Sequence, residues 1–186
     1  DLMVDFFKAL KRKQFIDSIF INDFFTGVGS RKTPKNILEL MELIGYTIAV
    51  YSDKILVSGG AIGADSAFET GAKEGGGRTK IFYAKDCTKE AQELSKSFLN
   101  ESHWNNLNDY QRKLMGRNSQ QVLGRHLNSR TSFVICWTPE GKSVGGTKIA
   151  INLALSKGIP VYNLFFDDVK ELFINGLDLS DKYLPF

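Results

Sequence analysis

The stretch Phe24-Phe25-Thr26-Gly27-Val28-Gly29-Ser30-Arg31 decides the fold, because a short apolar run ending in closely spaced glycines reads as a buried strand delivered into a tight turn. Thr33-Pro34 then supplies a helix N-cap with proline at the first helical position. Ile37, Leu38, Met41, Leu43 and Ile44 follow at helical spacing, which completes a strand, loop and helix unit. The unit repeats. Lys54 to Val57 reads as a second strand, Ser58-Gly59-Gly60-Ala61-Ile62-Gly63-Ala64-Asp65 as its loop, and Ala67, Phe68 and Ala72 as a helix stopped by Gly75-Gly76-Gly77. Lys80 to Ala84 is a third strand.

From Thr88 to Leu127 the chain is polar and favours helix, with Gly116 and Gly124 as interruptions, so two or three helices are expected there. Trp104, Leu107, Tyr110, Leu114, Val122 and Leu123 are the expected inward anchors. Thr131 to Trp137 reads as a fourth strand, Thr138 to Gly146 as a loop, and Thr147 to Ser156 as a helix. Ile159 to Leu164 forms a fifth strand, and the run through Leu172, Phe173 and Leu184 is expected to close one sheet edge. This alternation predicts an α/β, Rossmann-like fold, with a mostly parallel sheet, helices on both faces and a helical insertion over 88–127 after the third strand.

No repeat or long linker divides the chain, so residues 1–186 read as one domain. The opening segment, residues 1–20, mixes Phe6, Phe7, Leu10 and Phe15 with Lys8, Lys11, Arg12 and Lys13, which predicts an amphipathic helix packed on the domain or on a partner subunit, with a membrane-surface or nucleic-acid arm as the alternative. The need to bury it, together with Leu184-Pro185-Phe186, points to a homodimer or a higher homo-oligomer.

Composition narrows the function. Hydrophobic residues are 42% and charged residues 24% of the chain, as in ordinary globular proteins. The net charge of +3 suits an anionic ligand but falls short of a dedicated duplex-DNA binder. Cys87 and Cys136 are the only cysteines, which suggests neither a disulfide framework nor a metal site, and a cytoplasmic setting is expected. No segment approaches the ~20 apolar residues of a membrane span, so no membrane partner is expected.

Three glycine-bearing loops carry the chemistry: Thr26 to Arg31, Ser58 to Asp65 and Ser143 to Thr147. Each lies between a strand and a helix, where several amides lack intrahelical partners and the helix dipole favours an anion. In an open α/β sheet all three converge beyond the carboxyl ends of the strands. Arg31 adds a cation beside the first loop and Lys148 another beside the third, although a solvated lysine at a helix start reads equally well. The set matches neither a Walker loop nor the single Gly-x-Gly-x-x-Gly run of dehydrogenases, and no Gly-x-Ser-x-Gly elbow is present.

Taken together, Thr26-Gly27-Val28-Gly29-Ser30-Arg31, Ser58-Gly59-Gly60-Ala61-Ile62-Gly63-Ala64-Asp65, Val144-Gly145-Gly146-Thr147 and Gly158-Ile159-Pro160-Val161 resemble the SLOG superfamily. That Rossmann-like group includes the DNA processing protein A family, LOG-type nucleotide phosphoribohydrolases and nucleotide-sensing domains. Arg117-Asn118 and the run Cys136-Trp137-Thr138-Pro139-Glu140-Gly141 make the likeness strongest to small phage-encoded proteins similar to DNA processing protein A. The resemblance implies a nucleotide or signalling-nucleotide ligand, captured in the host cytoplasm and so withheld from a host defence pathway. LOG-type hydrolases carry a glutamate after their Gly-Gly-x-Gly-Thr, where this chain has Thr147-Lys148-Ile149-Ala150. The winged-helix extension of many DNA processing proteins is not found either.

The expectation is therefore a binder that requires no cofactor, its phosphate site formed by Gly27, Gly29, Ser30, Arg31, Ser58, Gly59, Gly60, Gly63, Asp65, Arg117, Asn118, Trp137, Thr138, Gly145, Gly146, Thr147 and Lys148. Two alternatives stand beside it. One is N-glycosidic hydrolysis of a nucleotide using Asp65 or Glu69, which lie one helical turn apart, against the simpler reading that Asp65 caps the helix and Glu69 is solvated. The other is single-stranded DNA binding. Trp104 is a candidate for stacking on a base or for the core; His103 and His126 carry no assigned role, and Cys136 reads as a small hydrophobe.

Overall fold

The computed structural model describes residues 1–183. Its elements are helix α1 (Leu2–Ile19), β1 (Phe24–Gly27), α2 (Lys35–Tyr51), β2 (Ile55–Ser58), α3 (Ala64–Glu74) and β3 (Arg78–Ile81). They continue with α4 (Lys89–Lys96), α5 (Glu101–Asn105), α6 (Asp109–Leu123), β4 (Val134–Cys136), α7 (Lys148–Ser156), β5 (Val161–Asn163) and α8 (Asp167–Gly176). The five strands form one parallel sheet in the order β3-β2-β1-β4-β5, a Rossmann-like α/β arrangement.

Successive strand residues face opposite sides of the sheet, and the side chains follow that alternation. Phe25, Leu56, Phe133 and Ile135 face a core shared with Ile16 of α1, Leu40, Met41 and Ile44 of α2, Phe68 of α3 and Phe173 of α8. Val28, Val134 and Cys136 face a second core with Val122 of α6 and Ala150 and Leu153 of α7. Helices thus cover both faces. At the centre, Thr26 is fully buried, and its hydroxyl donates to the Gln121 carbonyl at 2.6 Å, tying β1 to α6. The polar β3 sits at the edge, as its Arg78-Thr79-Lys80 sequence suits.

Several local expectations are corrected. Thr33 is not the N-cap of α2: its hydroxyl donates to the Ser30 carbonyl at 2.5 Å, and Pro34 occupies the cap position with no side-chain cap. The third strand ends at Ile81, because it pairs only along Ile55–Ser58 and the chain turns at Ala84–Asp86. In the β-rich segment before Trp137 only Val134–Cys136 is strand. Ser132 instead uses its hydroxyl to accept from the Ile21 and Asn22 amides. The insertion has three helices, but Gly116 interrupts none of them. It is buried inside α6, where a Cβ would lie 2.4 Å from the Cys87 sulfur.

Tyr110 is exposed rather than an anchor, whereas Trp104, Val122 and Leu123 are buried. Phe173 belongs to α8 and packs on a sheet face instead of closing an edge. Leu172 is exposed, and the expectation for Leu184-Pro185-Phe186 lies outside the described residues. In α1 the apolar side chains do not gather on one face, and only Ile16 is buried.

Candidate functional site

The sheet order reverses between β1 and β4, where an open parallel sheet leaves a crevice beyond the strand ends. The chain leaving β1 stays beside β4. Val28 donates its amide to Ile135 and Ser30 donates to Trp137, both at 3.1 Å. Gly27 lies within the strand, and a Cβ there would fall 2.6 Å from the Phe68 ring. A Cβ on Gly29 would fall 2.5 Å from that of Ala64, so the first loop rests against the start of α3. Arg31 is exposed and half-buried Ser30 turns the loop, its hydroxyl accepting from the Lys32 amide at 3.1 Å.

The second loop is organised by its own carboxylate. Asp65 is buried and accepts from the Gly59 amide at 3.1 Å and the Ala61 amide at 3.3 Å. Burial pushes its pKa up to about 6, against the opposing pull of the Ala61 amide, the Arg117 guanidinium and the Gly59 amide. Gly63 and Ser66 form a reciprocal pair across the start of α3, with the Ser66 hydroxyl donating to the Gly63 carbonyl at 2.9 Å. The buried Ser58 hydroxyl donates to the Gly27 carbonyl at 3.1 Å, linking the second loop to β1. Among the described residues the amides of Gly60, Ile62, Ala64 and Asp65 have no acceptor.

In the loop after β4, Thr138 is buried and bonded to Asn163: its amide donates to Oδ1 at 3.3 Å, and Asn163 Nδ2 donates to its hydroxyl at 2.6 Å. Gly145 has φ +67°, a left-handed conformation that favours glycine, and the space around both it and Gly146 is open. Thr147 is buried, its hydroxyl donating to the Val144 carbonyl at 3.2 Å, and half-buried Lys148 begins α7. Trp137 packs against Phe165, ring centres 6.4 Å apart.

Adjacent residues of α6 join two of these loops. Arg117 donates through Nη1 to the Gly59 carbonyl and, at 3.2 Å, to the Phe82 carbonyl. Asn118 donates through Nδ2 to the Gly146 carbonyl at 3.0 Å. A Cβ on Gly59 would collide with both Arg117 and Gln121. Arg117 and Asn118 therefore grip the loops by their carbonyls, so a direct contact of these two side chains with a ligand is not what the hydrogen bonds display.

Some expected residues stand apart. Glu69 pairs with Lys73 at 2.5 Å, one turn along α3 from Asp65. Trp104 is packed inside the insertion with Arg112 over its ring, which corrects the stacking candidate. His103 and His126 are exposed, and burial pushes the Cys136 thiol up to about 12, leaving it inert. The sequence reading missed Asn163, Gln121, Phe165 and Glu140, the last in a left-handed conformation at φ 55° and paired with Lys142. Only Glu140, next to Gly141, had a local signal. A groove of about 630 Å³ lies elsewhere, bordered by Glu39, Glu42 and Glu74. Its acids repel one another: burial and then Glu74 raise the Glu42 pKa, so that groove does not suit an anion.

Among the described residues there is no His, Cys, Asp or Glu group fit to hold a metal ion, and no helix long and apolar enough to cross a membrane. No family model, curated protein or solved structure matches the chain.

Proposed function

We propose that the loops following β1, β2 and β4 bind the phosphate of a nucleotide or nucleotide-derived signal, and that the protein holds this ligand without turning it over. One observation carries the reading: Arg117 and Asn118, neighbours on α6, fasten the Gly59 and Gly146 carbonyls, while Ser30 is bonded to Trp137. Three loops distant in sequence are thereby tied around the reversal point of the sheet. Amides without acceptors at Gly60, Ile62, Ala64 and Asp65, with Gly145 and Gly146 in open space, offer donors to an anion. Exposed Arg31 and half-buried Lys148 add positive charge, and Trp137 with Phe165 offers an aromatic surface to a base.

A binder fits better than a hydrolase because both carboxylates that could serve as acid or base are engaged within α3 and its loop, Asp65 by two amides and Glu69 by Lys73. Capture of a signalling nucleotide needs affinity alone. Calorimetric titration with nucleoside mono-, di- and triphosphates, alongside mass spectrometry of molecules released on heat denaturation, tests the reading. Binding of a phosphorylated nucleoside, unchanged after incubation, is the expected result. Release of free base, or affinity that grows only with the length of a single-stranded DNA and falls steeply with salt, overturns it.

A further inference from the structure

Helix α1 carries a second apolar face that the domain does not cover. Its inner side is anchored by buried Ile16 and by Arg12, which donates to the Leu177 carbonyl at 2.8 Å and the Asp178 carbonyl at 3.0 Å. Along the other side Leu2, Phe6 and Leu10 follow at intervals of four residues, flanked by Met3 and Phe7, which makes one continuous stripe. Leu2 is 89% exposed, Phe6 62% and Phe7 59%, and the two phenylalanine rings meet edge to face. Charge along the helix is divided: Asp1 and Asp5 stand at the start, then Lys8, Lys11 and Lys13. Lys8 lies 3.4 Å from Asp181, a pair with both side chains open to solvent.

We propose that this stripe is the interface with a second copy of the chain, the two α1 helices lying antiparallel. A dyad between Phe6 and Phe7 sets Phe6 against the partner's Phe7 and Met3 against the partner's Leu10. It also opposes the two helix dipoles. A parallel pair would instead align the two dipoles. The stripe supplies its area through all five side chains, Leu2, Met3, Phe6, Phe7 and Leu10, which together offer a large part of the ~800 Å² per partner of a specific interface. A lipid surface suits it less, because the stripe runs on into Asp17 and is flanked at its start by Asp5.

The full chain is examined by light scattering and sedimentation over a wide concentration range. A dimer is expected, and the Phe6→Asp, Phe7→Asp double variant should raise the dissociation constant at least about a hundredfold with an unchanged far-UV circular dichroism spectrum. For orientation, Met3→Cys and Leu10→Cys chains are mixed in a Cys87→Ser background, and a 3-to-10 cross-link should form in preference to 3-to-3. A chain that stays monomeric throughout, a dimer untouched by the double variant, or predominant 3-to-3 linkage overturns the proposal. So does a monomer that sediments with phosphatidylserine vesicles, which would assign the stripe to a bilayer.

Discussion

Asp65 shows how one residue both builds and limits the site. Its carboxylate holds the Gly59 and Ala61 amides, two donors that the glycine pattern alone would award to a phosphate. Its pKa, raised from 3.8 to about 6, means that the folded state binds the proton more tightly than the unfolded chain. Stability from this group is therefore full below pH 3.8 and is lost as pH rises through about 6. Asp65→Asn should flatten that dependence and gain on the order of 2 kcal/mol at pH 8, read from urea unfolding at pH 4, 6 and 8. A wild-type protein equally stable at all three would contradict it. Gly146 provides the complementary test. A Cβ there meets nothing within 4 Å, so Gly146→Ala should leave the unfolding midpoint in place while weakening ligand binding roughly tenfold or more through lost backbone approach.

At the level of elements, the strands and the glycine loops were legible because their signal is local: an apolar run followed by a glycine. The α3 stop at Gly75 and the boundary of α6 at Gly124 were readable for the same reason. What escaped was decided across the fold. Nothing near Gly27 or Gly116 in sequence tells that one is shaped by Phe68 and the other by Cys87. Nor does a two-residue Arg117-Asn118 pair disclose that its partners are carbonyls of two distant loops. Helix α8 went unread because Phe173 is one of only two buried residues in it. Gly116 turns this into a prediction against propensity. Alanine in a helix interior ordinarily gains about 0.5–1 kcal/mol over glycine. Here the added methyl would press on the Cys87 sulfur at 2.4 Å and the Gln92 backbone at 3.1 Å, so a net loss of about 1–3 kcal/mol is expected. Cys87→Ala should restore part of it, measured as a double-mutant cycle by denaturant unfolding.

Across the whole molecule, the crevice and the α1 stripe are separate devices. The crevice is assembled from β1, β2, β4 and α6, whereas α1 touches mainly α2 and α8. A ligand that binds only the folded state at a hundredfold excess over its dissociation constant adds about 2.7 kcal/mol. For a chain of 186 residues that corresponds to a rise in Tm of roughly 5–10 °C. Thermal scans with a nucleoside phosphate should show this rise, and inorganic phosphate, which lacks the base that Trp137 and Phe165 could contact, should give a smaller one. Because the two devices share no residue, Gly146→Ala should remove the nucleotide-induced rise, while the Phe6→Asp, Phe7→Asp variant should keep it even as a monomer. If the monomeric variant instead loses the rise with its fold intact, the crevice is completed by the second copy, and the separation of the two devices fails.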